Sequence, residues 1–266
     1  MSAATRPVAL ITGASAGLGA VFARKLAARG YDLILNARRK DRLEKLCAEI
    51  SAAHGVSCQT LVADIGDHSD LRKVEDAIHA CDRFELLVNN AGFGTMGTFF
   101  KGNIDAQEQM IRVHMTATMR LSRAALDVMI PKRRGAIIST SSFAAFETNA
   151  GSVNYSASKA WINRFTEGLD LELGALDSPV KVQALCPGFT YTEFHDVIHM
   201  DRAKIPKWLW LSAESVVDAS LEGLDRGQLI VVPGSQYRLL RVFLGLLPRF
   251  VKRGLAIRMG RRMKGV

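Results

Sequence analysis

Residues 8–19 read Val8-Ala9-Leu10-Ile11-Thr12-Gly13-Ala14-Ser15-Ala16-Gly17-Leu18-Gly19. Four apolar residues in a row, ended by glycines, read as a buried strand. Val21, Phe22, Leu26 and Ala27 then recur on one face of a helix over 17–29. Strand, glycine turn and helix in that order open an α/β sheet whose ligand sits at the carboxyl end of the strand. The glycines allow a tight turn and close approach to the backbone. The helix start offers unpaired N–H groups and the positive end of a dipole, which suit a phosphate. Gly13, Ser15, Ala16, Gly17, Leu18 and Gly19 are therefore expected to hold a pyrophosphate. The alternative is a purely structural turn.

The same alternation continues outward. Further strands are expected at 33–35, 57–63, 86–88, 135–140, 180–186 and 229–232. Helices are expected at 42–53, 68–80, 105–130 (stopped by Pro131), 152–176 and 213–224. Strands that are apolar throughout imply a parallel sheet covered on both faces. The pattern predicts a doubly wound α/β sheet of about seven strands with helices on both faces. One catalytic domain is expected over 1–236, with a basic amphipathic extension over 237–266.

Bulk properties exclude several classes. The net charge is +9, from 35 Lys and Arg against 26 Asp and Glu. Nine of those cations and no acid lie in 237–266, which leaves 26 of each sign in the rest. The charge is thus local and does not mark a nucleic-acid binder. No apolar run approaches the ~20 residues of a membrane-spanning helix, and residues 1–7 lead straight into the first strand, so no secretory signal is expected. A cytoplasmic protein is expected, with membrane association only at the periphery. Cys47, Cys58, Cys81 and Cys186 are scattered, with no CxxC pair. Neither a disulfide nor a metal site is expected, only free thiols in a reducing compartment.

Chemistry-bearing residues fall at the carboxyl ends of the predicted strands. After the second come Arg38 and Arg39, where an NAD-binding sheet carries an acid. Two arginines can instead hold a 2′-phosphate, which predicts NADP(H) over NAD(H). The alternative is the solvated start of a helix. Asp64 and Ile65 follow the third strand, where they can contact an adenine or, for Asp64 or Asp67, cap a helix. Asn90, Ala91 and Gly92 follow the fourth, with room for a ribose; the alternative is a plain structural turn. Ser142 follows the fifth. Tyr155 and Lys159 stand four apart on one helix face. A nearby ammonium favours a phenolate, so Lys159 is expected to lower the tyrosine's pKa and make it usable as an acid and base. Pro187 and Gly188, then Thr190 and Thr192, follow the sixth.

With these residues in this order, the chain resembles the short-chain dehydrogenase/reductase family over about 8–232. TGASAGLG resembles its TGxxxGxG loop, and NNAG, the serine, YxxxK and the PG turn occur at its spacing. The resemblance implies a seven-stranded Rossmann sheet and hydride exchange between a nicotinamide cofactor and a carbonyl or alcohol. It implies that Tyr155 protonates the carbonyl oxygen, Ser142 polarises it and Lys159 binds the nicotinamide ribose. Asn90 would lie beside the ribose, and Thr192 and the Pro187–Gly188 turn would contact the carboxamide. The family's relay asparagine is replaced here by His114, which either serves the relay or fills space. A charged His114 would oppose Lys159, so a neutral one is expected. Dimers or tetramers are implied through the two long helices.

Phe93, Phe143, Phe189 and Trp208, with Phe194 and Trp210 in the same region, are expected to form an apolar pocket for a lipophilic carbonyl or 3-oxoacyl substrate. The alternative is core packing under a lid. The tail can lie on an anionic membrane, join subunits or cover the pocket. A rival to the enzyme is a non-catalytic NADP(H)-binding sensor on the same fold.

Overall fold

The computed structural model describes residues 6–95, 97–148, 150–193 and 205–264. Seven parallel strands form one sheet in the order β3-β2-β1-β4-β5-β6-β7. The strands are β1 (Val8–Thr12), β2 (Asp32–Ala37), β3 (Cys58–Val62), β4 (Phe84–Asn89), β5 (Ala136–Thr140), β6 (Lys181–Leu185) and β7 (Ile230–Val231). The helices are α1 (Gly17–Ala28), α2 (Lys40–His54), α3 (His68–His79), α4 (Ile104–Ile111), α5 (Thr118–Lys132), α6 (Val153–Ala175), α7 (Ala213–Asp225), α8 (Ser235–Leu246) and α9 (Arg249–Lys264). This is the expected Rossmann-like architecture.

Successive strand residues point to opposite faces, so each strand feeds two cores. Ala9, Ile11, Leu33 and Leu35 pack with α1, α2 and α7. Leu10, Ile34, Leu87 and Ile137 pack with α3 and α5. β3 departs from the expectation of strands apolar throughout, because it is an edge strand: Gln59 and Val62 are exposed. The strand order reverses between β1 and β4, and sheets of this kind bind their ligands beyond the carboxyl ends of the strands at such a switch point.

The helix expected over 105–130 is interrupted. Between α4 and α5 lies a six-residue π-helical turn, Arg112–Ala117. Such a turn adds a residue to the helical repeat and re-aims the side chains beyond it. Val113, His114 and Ala117 are its buried residues. Pro131 does not stop the helix, which continues to Lys132 and ends where Arg133 turns left-handed at φ 50.

The cysteine expectation is corrected. Cys47 of α2 and Cys58 of β3 form a disulfide, with Cα atoms 5.3 Å apart. The helix folds back over the strand that follows it, which brings together cysteines that no short motif links. Cys81 and Cys186 are free.

Candidate active site

The glycine loop is shaped first by its own packing. Gly13 has φ +66, and a Cβ there would lie 2.8 Å from the Ala91 Cα. A Cβ on Gly19 would lie 2.4 Å from the Gly13 carbonyl oxygen. Asn90 Nδ2 donates to the Thr12 carbonyl at 2.9 Å, and Thr12 Oγ1 accepts from the Asn90 and Ala91 amides, each at 3.0 Å. These bonds tie the end of β4 to the loop across the switch point. Ala16 makes no side-chain cap at the start of α1, and no acid stands in its first turn. The helix start therefore keeps the free N–H groups and positive dipole that a pyrophosphate needs. The cradle fits the diphosphate of a dinucleotide. Thr192 lies at its far side, where a Cβ on Gly17 would meet the threonine side chain at 3.3 Å.

Both arginines after β2 are exposed. Arg39 Nε and Nη2 donate to Ser15 Oγ at 3.2 and 3.0 Å, so this arginine is turned toward the glycine loop. Its Nη1 pairs with Glu193 at 3.0 Å, and Arg42 pairs with the same carboxylate at 2.6 Å. Arg38 lies 3.5 Å from Asp64. The cap of α3 is Asp67, which accepts from the Ser69 and Asp70 amides. Asp64 instead accepts from the Gly66 amide within its own turn, and Ile65 is buried beside it.

At the ends of β5 and β6, Ser142 and the Pro187–Gly188 turn are joined by the Phe143 amide donating to the Pro187 carbonyl at 2.8 Å. Tyr155 sits in the first turn of α6 and Lys159 one turn on. The Tyr155 and Ser142 hydroxyls are hydrogen-bonded to each other. Burial raises the tyrosine's pKa, and the Ser142 bond opposes that rise. The lowering expected from Lys159 is absent from this balance, and the tyrosine's pKa stays above its ordinary value. The ammonium is turned away: Nζ donates to the Thr140 carbonyl at 2.7 Å and lies 5.8 Å from the tyrosine ring centre. Tyr155 accordingly holds its proton at neutral pH, the state needed to protonate a carbonyl oxygen. Burial lowers the pKa of Lys159 to about 7.

That shift makes a stability prediction. Below pH ~7 the folded chain bears the full cost of a buried ammonium. As pH rises from about 7 toward the lysine's unfolded value of ~10.4, the unfolded chain holds more protons and stability rises. Lys159→Met is therefore expected to raise the melting temperature of the ligand-free protein at pH 6, with a smaller gain at pH 9. Thermal melts at both values check this; an equal gain at both pH values would contradict it.

His114 is buried and neutral. Its Nε2 accepts from the Phe93 amide at 3.2 Å, and its Nδ1 lies 2.9 Å from Ser158 Oγ. Ser158 in turn donates to the Tyr155 carbonyl at 2.9 Å. One neutral tautomer, protonated on Nδ1, satisfies both nitrogens. Burial first and the Lys159 charge second hold its pKa well below the ordinary value. The imidazole also stands near the lysine, since a Cβ on Gly92 would lie 2.8 Å from Nε2 and 3.6 Å from Lys159 Nζ.

The aromatic residues divide. Phe143 packs on Tyr237 with ring centres 5.1 Å apart, and Phe189 packs on Trp210 at 5.6 Å. Both belong to a small core around Tyr237. Phe93 meets His114 edge-on at 6.1 Å. Trp208 is 65 % exposed, and the residue that packs in its stead is Trp210, stacked on Tyr191. Phe194 lies outside the described residues.

Several participants carried no sequence motif. They are Ser158, the Thr140 carbonyl, Arg42, Glu193 and Tyr237. The Tyr237 ring lies where a Cβ on Gly188 would be, 1.9 Å from its Cζ. This packing alone requires a glycine in the PG turn. Thr190 Oγ1 donates to the Gly188 carbonyl at 3.0 Å behind it. Among the described residues, no group of three or more His, Cys, Asp or Glu is placed to hold a metal ion.

This fold and site define a class that comparison with known proteins makes explicit. The short chain dehydrogenase family pattern matches residues 7–203, and the chain belongs to that family. A 3-oxoacyl-[acyl-carrier-protein] reductase of Aquifex aeolicus is 29 % identical over 242 residues, covering 86 % of this chain and 97 % of that one. A short-chain dehydrogenase from Sphingobium yanoikuyae, solved in complex with NADPH, is 33 % identical with a TM-score of 0.82, covering 91 % and 97 % of the two chains. A bulky-bulky ketone specific alcohol dehydrogenase from Comamonas testosteroni is 29 % identical with a TM-score of 0.78, covering 91 % and 95 %. The protein is a short-chain oxidoreductase that acts on carbonyl or alcohol groups with a nicotinamide cofactor.

Proposed function

We propose that the protein is an NADP(H)-dependent reductase of lipophilic ketones or 3-oxoacyl compounds. The observation that carries the reading is the Tyr155 hydroxyl, hydrogen-bonded to Ser142 and one helical turn from buried Lys159, at the same sheet edge as the glycine cradle. A reduced nicotinamide, when bound, would supply the hydride that the carbonyl carbon accepts. Ser142 donates a hydrogen bond to the carbonyl oxygen, and Tyr155 gives that oxygen its proton, so ketone becomes alcohol and phenol becomes phenolate. Lys159 binds the nicotinamide ribose, and its charge stabilises the phenolate until a proton returns from solvent. Residues 13–19 hold the pyrophosphate. Asp64 and Ile65 would hold the adenine, Asn90 to Gly92 a ribose, and Pro187, Gly188, Thr190 and Thr192 the carboxamide. Incubation with NADPH and a panel of ketones tests the reaction, with alcohol expected in equal amount to NADPH consumed.

The NADP(H) preference draws support from Arg39, which already hydrogen-bonds Ser15 at the loop, with Arg38 beside it. NADPH is also the ligand of the Sphingobium relative. Arg39→Ala is expected to weaken NADPH binding about 10–100-fold, the loss of one charge-assisted pair of bonds, with NADH binding nearly unchanged. Glu193 pairs with both Arg39 and Arg42 and would compete with a 2′-phosphate for them. Glu193→Gln is therefore expected to tighten NADPH binding several-fold and leave NADH alone. Fluorescence titration of both cofactors checks the pair of variants, and equal shifts for NADPH and NADH would contradict the assignment.

His114 is read as a positioning residue that holds the Phe93 backbone and Ser158 beside Tyr155. His114→Asn is expected to lower turnover by less than about tenfold and to leave the pH–rate profile between pH 5.5 and 8 unchanged in shape. A wild-type rate that needs a protonated histidine, and loses that limb in His114→Asn, would overturn this. The Comamonas relative's bulky ketones favour a lipophilic substrate. The chain is expected to form a dimer or tetramer through its long helices.

A further inference from the structure

α8 has two apolar sides. One faces the body. Tyr237 is buried there, its hydroxyl donating to the Leu209 carbonyl at 2.6 Å and accepting from the Phe189 amide at 2.8 Å. Leu240 and Leu244 are half-buried, and the Arg241 guanidinium lies 4.3 Å over the Phe146 ring. At about 100° per residue, Leu239, Val242, Phe243 and Leu246 fall on the opposite side. These four, and Phe250 at the start of α9, are between 59 % and 80 % exposed. Single exposed apolar residues are ordinary, but a contiguous group of this kind marks an interaction surface.

The charge around this face is of one sign. Residues 237–266 contain nine Lys or Arg and no acid, and Arg249, Arg253 and Arg258 are exposed. Lys252 instead turns inward to Glu147, at 3.0 Å, in the loop between Ser142 and Tyr155. We propose that this face docks on an anionic lipid bilayer, with the apolar residues in the acyl boundary and the arginines at the headgroups. A second copy is a poorer occupant, because a twofold contact sets this acid-free surface against itself. Nucleic acid would satisfy the charge but leave the large apolar side chains in water.

Docking has a consequence for the site. The body-facing side of α8 packs on Gly188, Phe189 and Phe143. A docked helix would therefore hold those loops about one helix diameter, ~10 Å, from the headgroups. A lipophilic carbonyl could pass from bilayer to site over that distance. This last step rests on the reductase reading above, whereas docking itself does not.

Vesicle sedimentation of the full chain tests the proposal. The probes are vesicles of phosphatidylglycerol with phosphatidylcholine, and of phosphatidylcholine alone. The wild type is expected to sediment with the anionic vesicles, less so at high salt, and weakly with neutral ones. The combined variant Leu239→Ser, Phe243→Ser and Leu246→Ser is expected to lose at least about tenfold in partitioning. It should retain wild-type NADPH affinity, since these side chains point away from the body. Equal partitioning of variant and wild type, or a wild type that stays in the supernatant, would overturn the proposal. A variant that only dissociates an oligomer in light scattering, with no change in vesicle binding, would also overturn it and assign the face to copies of this chain. None of these readouts requires turnover, so failure of docking and failure of the reductase reading are separable.

Discussion

Tyr155→Phe is expected to reduce NADPH-dependent ketone turnover by about 10³-fold or more, within the roughly 10²–10⁴-fold that a positioned proton donor contributes. NADPH affinity should change by less than about threefold, because the phenol oxygen meets Ser142 rather than the glycine cradle. The reason lies in the protonation states of the two side chains. Burial holds the tyrosine as a phenol and brings the lysine to about 7. A phenol can supply the proton that a developing alkoxide needs, and a phenylalanine ring of the same shape cannot. Steady-state rates with one ketone, alongside cofactor titration, separate the two effects. A variant that keeps a tenth of wild-type turnover would remove Tyr155 from the proposed role.

The second large effect is expected at Gly19. A Cβ there would lie 2.4 Å from the Gly13 carbonyl oxygen, 2.9 Å from its carbon and 2.7 Å from Asn90 Nδ2. Two of these atoms are backbone in a loop already bound to β4, so the loop itself must move. Gly19→Ala is expected to lower stability by ~1–3 kcal/mol, the usual cost of overpacking. It should also weaken NADPH and NADH alike by about 100-fold, because the N–H groups of α1 and the loop no longer converge on a diphosphate. Gly30→Ala is the control. Gly30 has φ +86 but nothing within 4 Å of its added Cβ, so only backbone strain on the order of 1 kcal/mol is expected, with cofactor binding intact. Thermal melts and titrations of both variants check this. A Gly19→Ala protein that binds both cofactors normally would show that the loop does not cradle the diphosphate.

Much of the fold was legible because its determinants are local. Val8 to Gly19 states a strand, a tight turn and a helix start within twelve residues, and the alternation repeats along the chain. Ser142, Tyr155 and Lys159 were legible for a related reason: a sheet brings the ends of its strands to one edge, so residues far apart in sequence converge once the strands are known. What escaped depends on side-chain contacts that no periodicity records. Tyr237 fills the space beside Gly188 from 49 positions away. Cys47 meets Cys58 because α2 folds back over β3. The π-helical turn at Arg112–Ala117 leaves the apolar pattern of a helix nearly unchanged while re-aiming His114. The ammonium of Lys159 turns to the Thr140 carbonyl instead of the phenol, a choice set by burial that spacing alone does not reveal. The aromatic residues expected to line a pocket were the least legible. A phenylalanine in a small core and one on a pocket wall look the same in sequence.

The most direct test is single-turnover reaction of the wild-type protein with NADPH deuterated at the transferring position and a bulky, lipophilic ketone. The account predicts that deuterium appears at the carbinol carbon of the product alcohol, with one alcohol formed per NADPH consumed, and that Tyr155→Phe forms almost none over the same interval. Tight NADPH binding by the wild type with no labelled alcohol across a panel of ketones and aldehydes would contradict it, and would favour a protein that senses NADPH without reacting it.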